Sequence, residues 1–335
     1  MSSDMPSRIL QDSIRSIEFP LRDNVGWRID ELPSCEASQV LIEVTHSGMS
    51  NGTERSFMVG GPYGGSKWPC QCGYQLVGIV RTVGESMDHR LIGKRVFCGH
   101  FGRHASHVVV NRLQCDDSDN LTVELPEDLC SEHACMLGVA SVSLRDVKLC
   151  DLREGQRVLV IGAGLIGQFA AQAARSMGTE VTLASRSIHR LSVAQQCGIS
   201  TTLEIPDNDS WQQLQGAGFD VCIETSGAEI LQPLLGRGRG DPGVLRYGGR
   251  LFLSGGRHLV TYDCLAAQSQ AIHILHATHF TRDDLIQMVG LMQQGVITVA
   301  PLISSVTPVS RMQEAYKQLL VAPGSMLGTI FDWHH

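Results

Sequence analysis

The sequence predicts an α/β protein in which a β-rich domain is interrupted by a doubly wound domain with a parallel sheet. Three stretches of different texture lead to this prediction: closely spaced β-rich runs at about 14–125, alternating strands and helices at about 126–295, and a β-type tail at about 296–335. The length of 335 residues agrees with two domains of roughly 150 residues each. We therefore expect segments 1–125 and 296–335 to form one domain and 126–295 to form the inserted one.

The first segment contains short apolar runs that are separated by glycine, proline and asparagine. Residues 40–44, 78–83 and 107–110 are rich in valine and isoleucine and predict three of its strands. Closely spaced strands with turn residues between them are typical of a compact β-barrel or sandwich. We expect this segment to form such a structure.

The middle segment has the pattern of a parallel sheet covered by helices. A continuous apolar run at 157–161 predicts a buried strand, and 165–177 predicts a helix directly after it. Further strands are predicted at 180–183, 219–223 and 250–253, with helical segments between them. Apolar strands spaced by helices are what a parallel sheet buried on both faces requires. This is the pattern of a doubly wound α/β domain.

The tail returns to short strands and one amphipathic helix, which we place at 309–320, followed by a last strand at 328–331. A β-type tail after an α/β domain indicates that the tail folds back onto the first domain. The cleft between two such domains is then the natural place for a ligand. Within the middle segment, the glycine-rich stretch 236–243 predicts an exposed flexible loop.

Composition and charge argue against several classes of function. The chain carries 27 Lys and Arg against 34 Asp and Glu, with a net charge of −7 and a pI near 6.0. A nucleic-acid binder, by contrast, concentrates positive charge. No apolar run reaches the roughly 18 residues that a membrane helix needs, and the polar first residues lack the apolar segment of a signal peptide. We expect a cytoplasmic protein with no membrane and no nucleic-acid partner.

Eleven cysteines are scattered along the chain, Cys115 among them, and no C-x-x-C pair occurs. Free thiols are therefore the expected state. One stretch is dense enough in cysteine and histidine to hold zinc, although its spacing matches no known ligand set. Its members are Cys70, Cys72, Cys98, His100, His104 and His107. This cysteine–histidine cluster is either a metal site or a set of ordinary loop and strand residues. We favour the second interpretation and predict no metal.

A glycine-rich turn between the first buried strand and its helix predicts a dinucleotide site. Gly162, Gly164 and Gly167 have the spacing at which glycines make a tight turn, let the backbone approach a pyrophosphate and bring helix and strand together. With Leu165 and Ile166 they form the start of the helix, whose N–H groups and positive dipole end bind the pyrophosphate. The alternative is a glycine turn that holds no ligand.

The end of the second predicted strand indicates which dinucleotide binds. An NAD site usually carries an acidic residue here, which accepts hydrogen bonds from the ribose hydroxyls. This chain has Ser185 instead, followed by Arg186 and Arg190. A hydroxyl and two guanidinium groups would bind a 2′-phosphate that a carboxylate would repel. We predict NADP(H); the alternative is that both arginines are solvated residues at the start of a helix.

Two further turns follow strands of the same predicted sheet. Ser226 and Gly227 come after the third of these strands, and Ser254 and Gly255 come after the fourth. The carboxyl ends of the strands line the ligand crevice in sheets of this kind. We therefore expect all four residues to border the nicotinamide half of the cofactor, with plain turns as the alternative.

With these motifs the chain resembles the medium-chain dehydrogenase/reductase superfamily over nearly its whole length. The resemblance rests on residues 48–54, 73–78, 83–84, 93–96, 155–167 and 190–191. It implies a GroES-like catalytic domain, an inserted Rossmann domain that binds NADP(H), and a tail that returns to the catalytic domain. The run 47–54 is also similar to the motif of a zinc-free branch, the bacteriochlorophyllide a 3-hydroxyethyl dehydrogenases and related biosynthetic enzymes. Those enzymes interconvert a secondary alcohol and a ketone.

The zinc chemistry of the superfamily does not carry over to this sequence. Where zinc-containing members have a cysteine ligand this chain has Ser50, and where they have Gly-His-Glu it has a glycine followed by Tyr74 and Gln75. The third ligand would fall near Leu137 or Gly138, and the four-cysteine lobe that holds structural zinc is missing too. The resemblance thus implies a member without zinc.

Without zinc, hydrogen-bond donors must polarise the carbonyl group of a substrate. We expect the hydroxyl of Tyr74 to face the substrate oxygen and Ser50 to donate a second hydrogen bond, while Thr53 and Glu54 form a relay to solvent. Two of these residues have a structural alternative. Tyr74 would otherwise fill the space left by zinc, and Glu54 would cap a helix or pair with Arg55.

The sequence therefore predicts a zinc-independent, NADPH-dependent oxidoreductase. It would interconvert a ketone and a secondary alcohol on a small-molecule biosynthetic intermediate, with reduction favoured. Two alternatives stay open: reduction of a conjugated C=C bond, as in enoyl and quinone reductases, and a dinucleotide-binding protein without turnover. Relatives commonly dimerise through an edge of the Rossmann sheet, so the resemblance also implies a homodimer.

Overall fold

The structure, a computed structural model, describes residues 13–100, 102–111, 121–205, 207, 209–238 and 240–334. Cys115 lies outside these residues. The chain divides into two compact units. The first consists of Met1–Gly138, Thr281–Val289 and Ile303–His335, and the second of Val139–Phe280 and Gly290–Leu302. Within the described ranges, the helices are all too short or too polar to cross a membrane.

The order of strands and helices along the chain follows the three textures of the sequence. The first elements are β1 (Ser13–Glu18), β2 (Gly26–Glu31), β3 (Gln39–Gly48), α1 (Asn51–Val59), β4 (Leu76–Val83), β5 (Arg95–Cys98), β6 (His107–Asn111), β7 (Thr122–Glu124) and α2 (Ser131–Ala134). The central elements are α3 (Leu137–Leu149), β8 (Arg157–Ile161), α4 (Leu165–Ser176), β9 (Glu180–Ser185), α5 (Ile188–Gln196), β10 (Thr201–Glu204), β11 (Phe219–Glu224), α6 (Leu231–Leu235), β12 (Gly236–Gly238), β13 (Asp241–Pro242), β14 (Leu245–Leu253), α7 (Cys264–Ser269), β15 (His273–Leu275) and α8 (Arg282–Gln293). The last elements are β16 (Ile303–Pro308), α9 (Met312–Val321) and β17 (Gly328–Asp332).

The first unit is built on a seven-stranded sheet in the order β16–β17–β3–β4–β5–β7, with β6 paired to β3. Its pairs are antiparallel except for β16 with β17. The last strand pairs with β3 so that Ile330 lies opposite Gly48 and Asp332 opposite His46. The tail therefore completes the sheet that leads into α1.

The core of this unit lies where α1 and α9 meet the sheet. Ile42 of β3 and Met58 of α1 are buried there together with Tyr316 of α9 and Phe331 of β17. The rings of Tyr316 and Phe331 have centroids 5.8 Å apart. This packing fixes α1, which carries most of the predicted catalytic residues, against the tail.

The two units do not divide at the predicted positions 125/126 and 295/296. The first division lies at 138/139, and 281–289 also belongs to the first unit. Two contacts account for this. Helix α2 packs on β3, and the guanidinium group of Arg282 donates a hydrogen bond to the carbonyl of Thr122.

The second unit is built on a six-stranded sheet in the order β10–β9–β8–β11–β14–β15, in which all pairs are parallel. When the six strands of this sheet are numbered along the chain, their order is the 3-2-1-4-5-6 of a doubly wound dinucleotide-binding sheet. The α/β fold class with an inserted Rossmann-type domain is thus confirmed. Strand β8 has the predicted bounds because its apolar residues from Val158 to Ile161 are buried on both faces.

The stretch 236–243 is not the exposed flexible loop that its composition predicts. Strands β12 and β13 pair in it as an antiparallel hairpin, and Gly236 is buried. A Cβ on Gly236 would lie 2.3 Å from the carbonyl oxygen of Asp241. The glycine is required because two backbone segments approach closely, and composition alone does not separate this cause from flexibility. Arg239 lies outside the described residues.

Candidate active site

The first turn of α1 carries three of the predicted catalytic residues. Strand β3 ends at Gly48, where a Cβ would lie 2.2 Å from the carbonyl oxygen of Cys135, so only a glycine fits. Ser50 follows as the N-cap of α1, but its side chain makes no capping hydrogen bond. Thr53 and Glu54 lie one turn further on. The hydroxyl of Ser50 is therefore available for another partner.

That partner is Tyr74, and the two residues form a hydroxyl cluster with Thr53. The Tyr74 hydroxyl lies 2.9 Å from Ser50 Oγ, which donates to Thr53 Oγ1 at 3.2 Å. Tyr74 and Ser50 are only 4% and 6% exposed, whereas Thr53 is half-buried. The structure thus brings three of the four predicted catalytic residues together through their hydroxyl groups.

The ring of Tyr74 lies against a position that cannot carry a side chain. A Cβ on Gly138 would lie 2.9 Å from Tyr74 Cε2 and 2.8 Å from Gln75 Cγ. Gln75 is fully buried, and its Nε2 donates to the carbonyl of Gly48 at 3.2 Å. Positions 50 and 74, at which the resemblance places two zinc ligands, are therefore linked in space to Gly138, one of the two residues near which it places the third. They hold an aliphatic hydroxyl, a phenol and a glycine.

This donor set does not fit zinc. Zinc sites in proteins use thiolate, imidazole or carboxylate ligands. Ser50 and Tyr74 offer neutral hydroxyls, Gln75 offers an amide, and Gly138 offers no side chain at all. These four residues therefore offer a zinc ion none of its usual ligands.

The pKa of Tyr74 is raised to about 12, mainly because burial disfavours the phenolate. The charge of Glu54 acts in the same direction, while the hydrogen bonds with Ser50 and Thr53 lower the pKa and only partly oppose the burial. The phenol is therefore protonated throughout the neutral range, where its hydroxyl can donate a hydrogen bond.

Glu54 does not belong to a relay towards solvent. Its side chain is fully buried, with Oε1 accepting from the Ser50 N–H at 2.6 Å and Oε2 accepting from the Tyr316 hydroxyl at 2.6 Å. Oε1 also lies 3.1 Å from Nε2 of His104. The predicted relay through Glu54 is wrong, because these partners hold its carboxylate inside the core. The bond to Ser50 matches the capping alternative, while Arg55 is exposed.

The contacts of His104 and Tyr316 with Glu54 could not be read from the sequence, which singles out His104 only as a member of the cysteine–histidine cluster. His104 is fully buried, and its Nδ1 lies 2.8 Å from Ser47 Oγ, which also accepts from Trp333 Nε1 at 2.9 Å. These residues stand 50 and 262 positions from Glu54 along the chain. No local signal connects them, because the contacts are made by the folded sheet and by α9.

The cysteine–histidine cluster defined from the sequence does not converge. Within the described residues, one group of three His, Cys, Asp or Glu side chains has its ligand atoms close enough to hold a metal ion, and it consists of His46, Asp332 and His334. His104 instead serves Glu54 and Ser47. The described cysteines are free thiols, which confirms that prediction.

The glycine turn of the second unit lies between β8 and α4. Gly162 has a φ of +97°, which favours glycine, and a Cβ on Gly167 would lie 1.7 Å from the carbonyl oxygen of Gly162. A Cβ on Gly164 would meet no protein atom within 4 Å, so packing within the chain does not require a glycine there. A pyrophosphate on the N–H groups at the start of α4 would require it. These residues fit a dinucleotide.

The three residues that predict NADP(H) lie at the end of β9 and the start of α5. Ser185 Oγ accepts from the Ser187 N–H at 3.2 Å, and Ser187 Oγ accepts from the Arg190 N–H at 3.4 Å as the cap of α5. Arg190 is half-buried and burial lowers its pKa, whereas Arg186 is exposed. A guanidinium group that has lost part of its hydration gains more from a nearby anion, so an anion at this place would gain more from Arg190 than from Arg186.

The turns after β11 and β14 are held together by Glu224, which the sequence reasoning did not single out. Its Oε1 accepts from the N–H groups of Ser226 at 2.6 Å and Gly227 at 3.0 Å, and its Oε2 pairs with Arg257. A Cβ on Gly255 would lie 2.3 Å from the Gly227 nitrogen. These glycines therefore let two turns approach closely at the carboxyl edge of the sheet, where a cofactor binds in such folds.

Ser254, in the second of these turns, is tied to α3. Its N–H donates to the carbonyl of Glu224 at 2.9 Å, and its side chain is hydrogen-bonded to Asp146. Asp146 is 2% exposed, and burial raises its pKa to about 7 although the bond to Ser254 and the charge of Arg145 oppose this. The position of Ser254 thus depends on a carboxyl group that titrates near neutrality.

Known proteins match both parts of the chain. Residues 36–115 match the alcohol dehydrogenase GroES-like domain family, and residues 166–294 match the zinc-binding dehydrogenase family. D-xylulose reductase A of Aspergillus niger is 26% identical over 216 residues, which cover 62% of this chain and 59% of that protein. The chain thus spans about three fifths of that relative. The quinone oxidoreductase of Rattus norvegicus is 25% identical over 332 residues, which cover 95% of this chain and 96% of that protein.

Solved structures share the fold. A short chain alcohol dehydrogenase of Escherichia coli CFT073, complexed with NADH, has a TM-score of 0.81 at 17% identity and covers 96% of this chain and 100% of its own. A dehydrogenase of Sinorhizobium meliloti 1021, bound to NADP, has a TM-score of 0.79 at 19% identity and covers 96% and 99%. With both family regions matched in the expected order, the chain belongs to the medium-chain dehydrogenase/reductase superfamily of oxidoreductases.

Proposed function

We propose that this protein is an NADP(H)-dependent oxidoreductase that reduces a ketone to a secondary alcohol without zinc. The observation that carries the proposal is the buried contact of 2.9 Å between the Tyr74 hydroxyl and Ser50 Oγ. It lies where zinc-containing members of the superfamily have metal ligands. A D-xylulose reductase among the relatives supports an activity on alcohols or ketones.

The cofactor assignment rests on residues of the second unit. The turn 162–167 would hold the pyrophosphate, and Ser185, Arg186 and Arg190 would surround the 2′-phosphate of NADP(H). Related structures bind NADH or NADP, so the fold accepts either cofactor and these three residues decide between them. When bound, NADPH supplies the hydride.

Tyr74 would polarise the carbonyl oxygen by donating a hydrogen bond to it. As negative charge develops on that oxygen, the phenol gives up its proton, because an alkoxide is about as basic as hydroxide and a pKa of about 12 makes the transfer favourable. Ser50 would stabilise the phenolate that forms, and a proton from solvent would reach Tyr74 through the hydroxyls of Thr53, which is half-buried, and Ser50. Because the same pKa leaves very little phenolate at neutral pH, Tyr74 is rarely in the form that could take a proton from an alcohol, and we expect reduction to be the faster direction there.

Glu54 has a supporting role in this proposal. Its Oε1 accepts the N–H of Ser50 at 2.6 Å and so fixes the residue that bonds Tyr74. It is a positioning residue, because its two oxygens bind the Ser50 N–H, His104 and Tyr316 and none of the three hydroxyl groups of the cluster.

Reduction of a conjugated C=C bond is the second candidate. It is favoured by the rat quinone oxidoreductase, whose alignment covers almost the whole of both chains. The same hydroxyl cluster would then bind the carbonyl oxygen of an enone while the hydride goes to carbon. The two reactions add the same two hydrogens, so the product mass does not separate them.

A product analysis separates the two reactions directly. The protein is incubated with NADPH and an enone, and the carbon spectrum of the product is recorded by NMR. Loss of the carbonyl carbon and appearance of a carbinol carbon is the result that we expect. A retained carbonyl with a saturated neighbour would favour the second candidate, and no turnover across a panel of ketones and enones would leave a dinucleotide-binding protein without catalysis.

A further inference from the structure

A second group of side chains, outside the hydroxyl cluster, has the composition of a metal site. His46, Asp332 and His334 each offer one ligand atom, and these three atoms lie within 4.8 Å of one another. We propose that these residues bind a zinc ion where β17 ends against β3. The proposal is independent of the proposed reaction.

The sheet prepares this arrangement before any ion binds. β3 and β17 are antiparallel, and Asp332 lies directly opposite His46, so the two side chains share one face. His334 follows two residues after Asp332 and returns to that face by the alternation of an extended chain. Trp333, between them, is buried on the other side.

The extended pairing continues past the last residue of β17. The Trp333 N–H donates to the carbonyl of Thr45 at 2.9 Å, and its indole Nε1 donates to Ser47 Oγ at 2.9 Å. These bonds tie Trp333, the residue after Asp332, to the residues on either side of His46. The ligand group therefore stands on two hydrogen-bonded strands and not on a loose loop.

The three side chains already contact each other. The rings of His46 and His334 have centroids 5.4 Å apart, and His334 Nδ1 lies 2.7 Å from Asp332 Oδ1. His334 is 55% exposed at its side chain and Asp332 23%, so an ion can reach them from solvent. Glu132 adds negative charge near His46, where Arg95 is the opposing positive group.

The donor set selects the class of ion. Two imidazole nitrogens and one carboxylate oxygen suit zinc, whereas calcium and magnesium take mainly oxygen ligands. At bond lengths of about 2.0–2.2 Å, the ligand atoms of a tetrahedral zinc ion lie about 3.3–3.6 Å apart. The three ligand atoms lie within 4.8 Å of one another, so the side chains would have to rotate towards the ion when it binds. Three protein ligands leave one position of a tetrahedral ion for water.

A competition titration tests the site. The full-length protein, treated with a chelator and then desalted, is titrated with Zn²⁺ against a chromophoric chelator. We expect one zinc ion per chain, and we expect His46→Ala and Asp332→Asn each to weaken its binding by about tenfold or more, since even groups behind the ligands cost that much. His107→Ala is the matched control, because His107 is also a half-buried strand histidine.

Thermal unfolding and the spectrum of the Co²⁺ form test the same site in the wild type, also where a variant folds poorly. Zn²⁺ should raise the melting temperature of the wild type, and it should raise that of Asp332→Lys less or not at all. The Co²⁺ form of the wild type should show no thiolate-to-metal charge-transfer band. Unchanged zinc affinity in both His46→Ala and Asp332→Asn would overturn the proposal. A thiolate band from Co²⁺ would overturn it too, because it would place the ion on cysteine.

Discussion

The hydroxyl of Tyr316 donates a hydrogen bond of 2.6 Å to Oε2 of Glu54, and this bond joins α9 of the tail to α1 at the start of the candidate active site. Both residues are fully buried. Because Glu54 also accepts from the N–H of Ser50, the tail helps to fix the N-cap of α1. The arrangement of the hydroxyl cluster therefore depends on a carboxylate that does not belong to it.

Replacing this carboxylate should lower stability more than activity. In Glu54→Gln an amide NH₂ group would face donors that need an acceptor, so we expect the free energy of unfolding in urea to fall by about 2–4 kcal/mol. The rate per folded molecule should stay within a few-fold. The exposed Glu314→Gln serves as the control and should leave stability unchanged. A loss of rate of a hundredfold or more with stability intact would make Glu54 a catalytic group.

Removing the phenolic hydroxyl of Tyr74 should act on turnover. We expect Tyr74→Phe to lower kcat for ketone reduction by about 10²–10⁴, the usual worth of a positioned proton donor. The dissociation constant for NADPH, measured by fluorescence titration, should not change. Tyr247→Phe, an exposed tyrosine of the second unit, should behave as wild type. If Tyr74→Phe keeps kcat within threefold, the ring only fills space.

Arg190 should decide between the two dinucleotides. A charge-assisted contact with the 2′-phosphate contributes about 1.5–3 kcal/mol, so Arg190→Ala should weaken NADPH binding by about ten- to a hundredfold and leave NADH binding unchanged. The exposed Arg186→Ala should have a smaller effect, and Arg153→Ala none. Equal weakening of both cofactors in Arg190→Ala would mean that this residue supports α5 and does not read the phosphate.

Asp146 predicts a pH dependence of stability. Burial raises its pKa to about 7 in the folded state, against about 3.9 in the unfolded chain, so the folded state binds more protons between these values. The contribution of this group to the free energy of unfolding is fully present below about pH 4. It is lost as the pH rises towards 7, by on the order of 1 kcal/mol per pH unit. Urea unfolding should show this fall in wild type and not in Asp146→Asn. Parallel pH profiles of the two proteins would contradict it.

The predictable parts of the molecule are those whose signals are local. The strand β8, the glycine turn after it and α4 follow from an apolar run and three spaced glycines, and their bounds needed no tertiary information. Ser50 and Tyr74 could be paired only through the resemblance, since 24 residues separate them. The phenol's raised pKa follows from burial, which the sequence does not report residue by residue.

The parts that could not be predicted are contacts between distant segments. The spacing of Glu54, one helical turn after Ser50, favours a relay, but the orientation of its side chain is set by His104 and Tyr316. The permissive backbone of Gly236 favours a flexible loop, whereas a close backbone approach is what requires the glycine. In both cases one residue type serves two physical purposes, and only the fold decides between them.

The rate of NADPH oxidation by a ketone, measured after metal has been removed and its absence verified by elemental analysis, shows whether the hydroxyl cluster or an ion polarises the carbonyl. We predict an unchanged rate, in wild type and in His46→Ala alike, because the hydroxyl cluster polarises the carbonyl without an ion. A rate that disappears with the metal and returns with added Zn²⁺ would contradict this mechanism, since the ion would then do what we assign to Tyr74.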